Sequence, residues 1–299
     1  MSFNINRRKI LKVGAASLLM GSAGTILLSH DEAQKLKSVN SEAEKNNKLS
    51  LNNKNIEHEL AVQDNLQKSR NFNQTFSEDL FLSNEKYSIF QNTLKKVQTV
   101  QKVIGYANFN LISFDDMILY SRRLSQLERF TTAELALIDE LFFFDANKYG
   151  FHGNKVIKDL TSRINKKETT KIAGSGHYLF QGEALAKYNQ LKKDVGPDLI
   201  LTSGVRSVVK QLQLFLAKLD VSKGNLSLAS RSLAPPGHSY HGIGDFDVGK
   251  KGFGKLNFTS QFSETEEYKK LIELKYVDLR YTKDNQIGVR YEPWHIKVV

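Results

Sequence analysis

The residues with the most chemistry to offer lie in two short stretches. One runs Pro235-Pro236-Gly237-His238-Ser239-Tyr240-His241-Gly242-Ile243-Gly244-Asp245-Phe246-Asp247, and the other runs Tyr291-Glu292-Pro293-Trp294-His295. Together they hold three of the seven histidines and the only tryptophan. A catalytic metal requires about three protein ligands and one open position. His241 follows a rigid Pro-Pro-Gly turn and precedes Gly242 and Gly244, where the backbone can come close to an ion or a substrate. On a strand, Asp245 and Asp247 point to one face, so either can supply an oxygen. His295 is the third candidate, if the intervening chain returns it to the first stretch. Taken singly, each is more simply read as a buried, hydrogen-bonded polar residue. Only their joint occurrence argues for a metal.

The elements that must position them can be read from periodicity and punctuation. Residues 184–191 form a helix ended by Gly196-Pro197, and 198–202 form a short apolar strand. Residues 207–219 are a second helix, 222–237 a loop, and 243–248 a strand. Ser263 with Glu266 reads as a capping box opening a helix to about Leu274. Tyr276 to Tyr281 and Ile287 to Tyr291 read as a hairpin. This order implies an α+β fold with a small, mainly antiparallel sheet and flanking helices, assigned to 169–299. Upstream, 76–168 is a helical region. Apolar positions from Leu80 to Ile104 recur at helical spacing, and Thr131 with Glu134 forms a capping box. The run Phe142-Phe143-Phe144 should be buried on more than one face. Tyr149, His152 and His177 are read as packed or surface residues rather than cleft residues.

Residues 31–75 are rich in Asn, Lys, Gln, Ser and Glu, which predicts a flexible tether holding at most a marginal helix. His58-Glu59 begins a zinc-protease-like motif that Val62 breaks. Residues 1–30 join a basic start to an uncharged run at 13–28, shorter than a membrane span. Arg7-Arg8 followed by Lys9-Ile10-Leu11-Lys12 resembles a twin-arginine export signal. That implies an exported, periplasmic or envelope protein, touching a membrane only where this segment stays uncleaved.

Ser239-x-His241-x-x-Gly244 followed by an aspartate, with Glu292-x-Trp294-His295 near the end, resembles the zinc D-alanyl-D-alanine carboxypeptidases, the VanY-type peptidases. Ser203-Gly204-Val205-Arg206-Ser207 with Gln211 is similar to that family's upstream motif, and the motifs follow its order. The resemblance covers about 198–299 and implies Zn2+ held by His241, Asp247 and His295. The family spaces its histidine and aspartate ligands seven apart, which from His241 reaches Val248. Asp247 stands at six, as one deleted residue would leave it. An alternative register, His238 with Asp245, keeps the spacing but forfeits the fit of Ser239 and Gly244. In the first register Asp245 orients a ligand from behind.

Hydrolysis then assigns roles. Glu292 is the base that takes a proton from water and passes it to the leaving amine. Arg206 stabilises the developing oxyanion or pairs with the substrate's terminal carboxylate. Ser239 and Gln211 contact substrate, and Trp294 packs under the site. The reading is a zinc D,D-peptidase acting on peptidoglycan stem peptides, with carboxypeptidase, dipeptidase and endopeptidase modes left open.

Composition sets the outer limits. The 299 residues are 40% hydrophobic and carry a net charge of +11. The absence of cysteine excludes disulfides, thiolate zinc sites and a cysteine nucleophile. A basic surface suits an anionic polymer, but no basic–aromatic face favours nucleic acid. Two rivals stand beside the metallopeptidase. Ser207-Val208-Val209-Lys210 matches the S-x-x-K of serine peptidases, without that class's other motifs. A non-catalytic zinc-containing module that binds peptidoglycan is the other, and Glu292 argues against it.

Overall fold

In the computed structural model, residues 59–299 are described. The export signal, the tether up to residue 58 and the His58 reading lie outside them. Helix α1 occupies 59–70. It is followed by α2 (Asn84–Ile104), α3 (Tyr106–Phe109), α4 (Phe114–Arg123) and α5 (Thr132–Phe143). Two caps fix the starts of α4 and α5. The Ser113 and Thr131 hydroxyls accept from the amides of Asp116 and Glu134, whose carboxylates accept from the cap amides in return. On α2 the buried side chains Phe90, Leu94, Val97 and Val100 recur at helical spacing.

A hairpin of β1 (Thr169–Lys171) and β2 (Tyr178–Phe180) precedes α6 (Glu183–Val195), β3 (Leu199–Ser203), α7 (Val208–Val221) and α8 (Leu226–Ser230). Then come β4 (Phe246–Lys250), α9 (Glu266–Glu273), β5 (Asp278–Leu279) and β6 (His295–Lys297). The main sheet is antiparallel throughout, in the order β3-β4-β6-β5. This is the α+β architecture expected, with α6 and α9 packed against the sheet in one core.

Two apolar cores hold it. Leu191, Leu199, Phe246, Val248, Phe262, Leu271 and Ile296 join α6, the sheet and α9. Phe90, Val97, Ile138, Leu212, Phe215 and Leu216 join α2 and α5 to α7. Each such side chain, fully buried, contributes about 1.5–3 kcal/mol. Helix α7 belongs to the second core and begins two residues after Arg206, so the upstream helices brace one wall of the site.

Four local expectations differ from the structure. Residues 276–281 pair not with 287–291 but through β5 with β6, Asp278 opposite Lys297 and Leu279 opposite Ile296. The reason is burial, since Tyr281 and Val289 turn into the helical core while Ile296 fills the sheet core. Helix α9 is capped by Thr265, whose hydroxyl accepts from the Tyr268 amide, rather than by Ser263. In the triple-phenylalanine run Phe142 is buried, but Phe143 is 57% exposed and faces the Lys155 ammonium. Finally, the helix allowed in the tether is a full one at 59–70, and polar contacts tie this stretch to the rest of the chain. Asn65 donates to the Gln286 carbonyl, and the Gln74 carbonyl accepts from Arg231, whose guanidinium also pairs with Asp79 just beyond the stretch.

Candidate metal centre

His241 sits in a 3-10 turn, Tyr240–Gly242, and its Nδ1 lies 2.9 Å from the Gly204 carbonyl oxygen. A carbonyl only accepts, so Nδ1 carries the proton and Nε2 the lone pair. His295 opens β6, and its Nε2 lies 3.1 Å from Asp245 Oδ2. By the same logic Nδ1 of His295 carries a lone pair. Asp247 lies on β4, and its Oδ2 accepts from Arg206 Nη2 at 2.6 Å, leaving Oδ1. Asp247 Oδ1 stands 3.2 Å from His241 Nε2 and 3.2 Å from His295 Nδ1. The three residues each offer one ligand atom, all within 4.8 Å of one another.

With both rings neutral, these three buried acceptors repel, and burial makes that costly. His241 Nε2 and Asp247 Oδ1 have no hydrogen-bond partner among the described residues. A cation resolves the conflict. Two imidazole nitrogens and one carboxylate oxygen are a donor set that suits zinc. Charge tuning agrees with this. Burial and the Arg206 charge push the His241 pKa down to about 4, so its imidazole is neutral at neutral pH. Burial opposes ionisation of Asp247, but its His241 and Arg206 neighbours outweigh it and hold the carboxyl well below its usual range. Burial would lower His295 as well, yet the surrounding Asp245, Asp247 and Glu292 carboxylates raise it well above the ordinary value, so without a metal the ring takes a proton. Acidic surroundings that favour a proton there favour a metal ion equally.

Local structure explains how so few residues reach this geometry. Asp247 and His295 are paired partners across β4 and β6. The 3-10 turn and Gly244, at φ 150, carry the chain from His241 into β4, which accommodates the shorter spacing to Asp247. Gly204 is packed against β2. A Cβ there would meet the Tyr178 carbonyl oxygen at 2.0 Å, and that carbonyl accepts from the Val205 amide. The Arg206 amide in turn donates to the His241 carbonyl, tying the upstream motif to the metal turn.

Glu292, Pro293, Trp294 and His295 form a turn, with the His295 amide donating to the Glu292 carbonyl. Glu292 Oε2 thereby comes to 3.6 Å from His295 Nδ1, beside the metal donors. A cavity of about 330 Å³ opens here, and Arg206, Gln211, Ser239, Glu292 and Trp294 all line it. Arg206 is committed to Asp247 and, through Nε, to Ser203 Oγ at 2.9 Å. Gln211 does not meet Arg206. Its amide donates to the Ala234 carbonyl, and its buried Oε1 has no partner among the described residues. The alternative pair is not brought together: His238 Nδ1 is 3.1 Å from the Gly153 carbonyl, its ring edge-on to Phe151. Asp245 instead grips His295 from behind. Ser207 Oγ caps α7 while Lys210 Nζ donates to Gln213 Oε1, so those two are not a nucleophile and its base.

Several residues at the site were not anticipated. Arg280 makes a paired contact to Asp245, at 2.7 and 3.0 Å, and stacks on the Tyr240 ring. The Tyr281 ring lies edge-on to His295. Arg290 Nε is 4.0 Å from Glu292 Oε1 and its guanidinium lies over Trp294. His177, expected to be packed or on the surface, lines the cavity because β2 docks against the end of β3; burial and the Arg206 charge lower its pKa to about 4. His152 does lie at the surface, bonded to Asn147, and Tyr149 is in the core.

Residues 180–299 match a family model described as VanY: D-alanyl-D-alanine carboxypeptidase. The matched segment contains every one of the proposed site residues. Two solved structures are similar over 44% of this chain. One is described as the LdcB LD-carboxypeptidase, a structure said to reveal the molecular basis of peptidoglycan recognition, at 23% identity and a TM-score of 0.37. The match spans 63% of that chain, less than two thirds of its length. The other is a mutant of the vancomycin-resistance D,D-pentapeptidase VanY in complex with Zn(II), at 20% identity and a TM-score of 0.35, with 78% of that chain covered. No curated protein matches this chain.

Proposed function

We propose that this chain is a zinc-dependent D,D-peptidase of the D-alanyl-D-alanine carboxypeptidase type, acting on peptidoglycan stem peptides. The observation that carries the reading is the convergence of His241 Nε2, His295 Nδ1 and Asp247 Oδ1 on one point, beside the Glu292 carboxylate. Zinc bound there would make a water acidic enough to attack at neutral pH and would polarise the scissile carbonyl. Glu292 takes the attacking water's proton and delivers it to the departing amine. Arg290 Nε, 4.0 Å from Oε1, faces the same carboxylate. Arg206 fixes Asp247 through Oδ2, and its remaining guanidinium edge faces the cavity that holds the substrate carbonyl or carboxylate. Ser239 and the unpaired Gln211 Oε1 offer hydrogen bonds to the peptide. Trp294 supplies an apolar wall.

Among the described residues no helix is long and apolar enough to cross a membrane. The twin-arginine-like segment would place the enzyme outside the cytoplasm, in the periplasm or envelope, where its substrate is. Metal analysis of the purified protein beside digestion of a defined D-alanyl-D-alanine peptide tests the reading. About one zinc per chain and release of D-alanine by the wild type, lost in Glu292→Ala, support it. Zinc binding without turnover by the wild type would make the protein a binding module instead.

A further inference from the structure

A second cavity, of about 760 Å³, adjoins the metal cleft, and Ser232 and Arg290 line both. Its wall carries four cationic side chains, Arg70, Lys218, Lys283 and Arg290, and no carboxylate. Among the described residues no carboxylate lies within 4 Å of Arg70, Lys218 or Lys283, and Arg290 has only Glu292 at that limit. The Lys218 pKa is lowered, first by burial and then by the Arg290 charge. Clustered cations without counter-ions are unfavourable alone and become favourable when an anion joins them. Two of the four are held in place by aromatic rings. Arg290 lies between Phe72 and Trp294, and Lys283 lies over Tyr291. Arg70 and Phe72 come from outside the segment that matches the family model, so this wall is a feature of the present chain.

We infer that this groove binds an acidic stretch of the same peptide whose bond is cut at the metal, taking a carboxylate that lies beyond the residues at the scissile bond. The occupant is the substrate itself, because Arg290 and Ser232 make the groove continuous with the cleft. The chemistry is a carboxylate meeting two or more cations, worth most at low salt. This inference rests on the peptidase reading and assigns part of its specificity to residues 70–73.

The test uses two synthetic peptides ending in D-alanyl-D-alanine. They are identical except that the acidic side chains upstream are free carboxylates in one and amides in the other. Binding is measured by calorimetry on the full chain carrying Glu292→Gln, which holds the peptide uncut. The carboxylate peptide should bind about tenfold more tightly at low salt. That preference should fall to within about twofold on adding Arg70→Gln and Lys283→Gln, and also in about 0.5 M salt. Arg70 and Lys283 are exposed, so their replacement leaves the buried cores intact. Equal binding of the two peptides, binding of neither, or a preference unchanged by the double substitution overturns the inference. Wild-type cleavage of the amide peptide is followed separately. Its absence counts against the peptidase reading while leaving the binding comparison to decide the groove.

Discussion

Asp247 stands directly opposite His295 across the β4–β6 pair, with its Oδ1 3.2 Å from His295 Nδ1. Two segments far apart in sequence are thus joined by backbone pairing, and the metal donors inherit the rigidity of the sheet. Asp245, two residues before Asp247, holds the other ring nitrogen of the same histidine. Alternation along the strand entry puts both carboxylates on one face, one as a donor and one behind it.

Asp245 should therefore tune the metal without touching it. Replacement by Asn keeps the shape but removes the charge that holds the His295 Nε2 proton. Zinc affinity is expected to fall about 10–100-fold. Competition with a fluorescent chelator reads this directly, and an unchanged affinity would detach Asp245 from the site.

Glu292 should affect turnover and not metal. Glu292→Gln is expected to lower kcat by about 10²–10⁴-fold. Zinc content should stay at the wild-type level, because the metal donors are elsewhere. Steady-state kinetics with a D-alanyl-D-alanine peptide, together with metal analysis, check both halves. Loss of zinc with loss of activity would make Glu292 a ligand rather than a base.

Gly204 has no room for a methyl group. A Cβ 2.0 Å from the Tyr178 carbonyl must push β2 away or displace the carbonyl that orients His241. Gly204→Ala should destabilise the fold by about 1–3 kcal/mol. It should also weaken zinc binding. Chemical denaturation and metal titration of the variant measure the two effects.

Acid should loosen the clamp that orders the chain before α2. Burial works to raise the Asp79 pKa, but hydrogen bonds from Arg231, Asn225 and the Phe76 amide outweigh it and hold the carboxyl below its usual range. A folded pKa below the unfolded one, about 3.9, contributes stability that is present above the latter. It is lost as pH falls through the folded value. Asp79→Asn leaves Arg231 buried without its charge partner and should cost about 3–5 kcal/mol near neutral pH. The Tm difference between wild type and variant should shrink as pH is lowered from 6 towards 3.

Short-range features of this fold are legible in sequence. The Thr131–Glu134 cap, the α7 apolar face and the glycines around His241 act within a few residues, so their spacing reports them. The meeting of His241, Asp247 and His295 is legible for a related reason, since two dense stretches supply all three. Long-range choices are not legible. Whether 276–281 pairs with 287–291 or with β6 depends on which core buries Tyr281, Val289 and Ile296. Arg280 carries no local signal for Asp245, which lies 35 positions away. The order of residues 59–82 also escapes composition, because buried polar pairs such as Asp79–Arg231 replace the apolar residues that composition counts.

X-ray diffraction recorded at the zinc absorption edge, on crystals of the purified protein, tests the central claim most directly. The account predicts one strong anomalous peak within bonding distance of His241 Nε2, His295 Nδ1 and Asp247 Oδ1, about 2.0–2.2 Å from each. Well-ordered side chains at these three positions with no anomalous peak between them, in crystals grown with zinc, would contradict it.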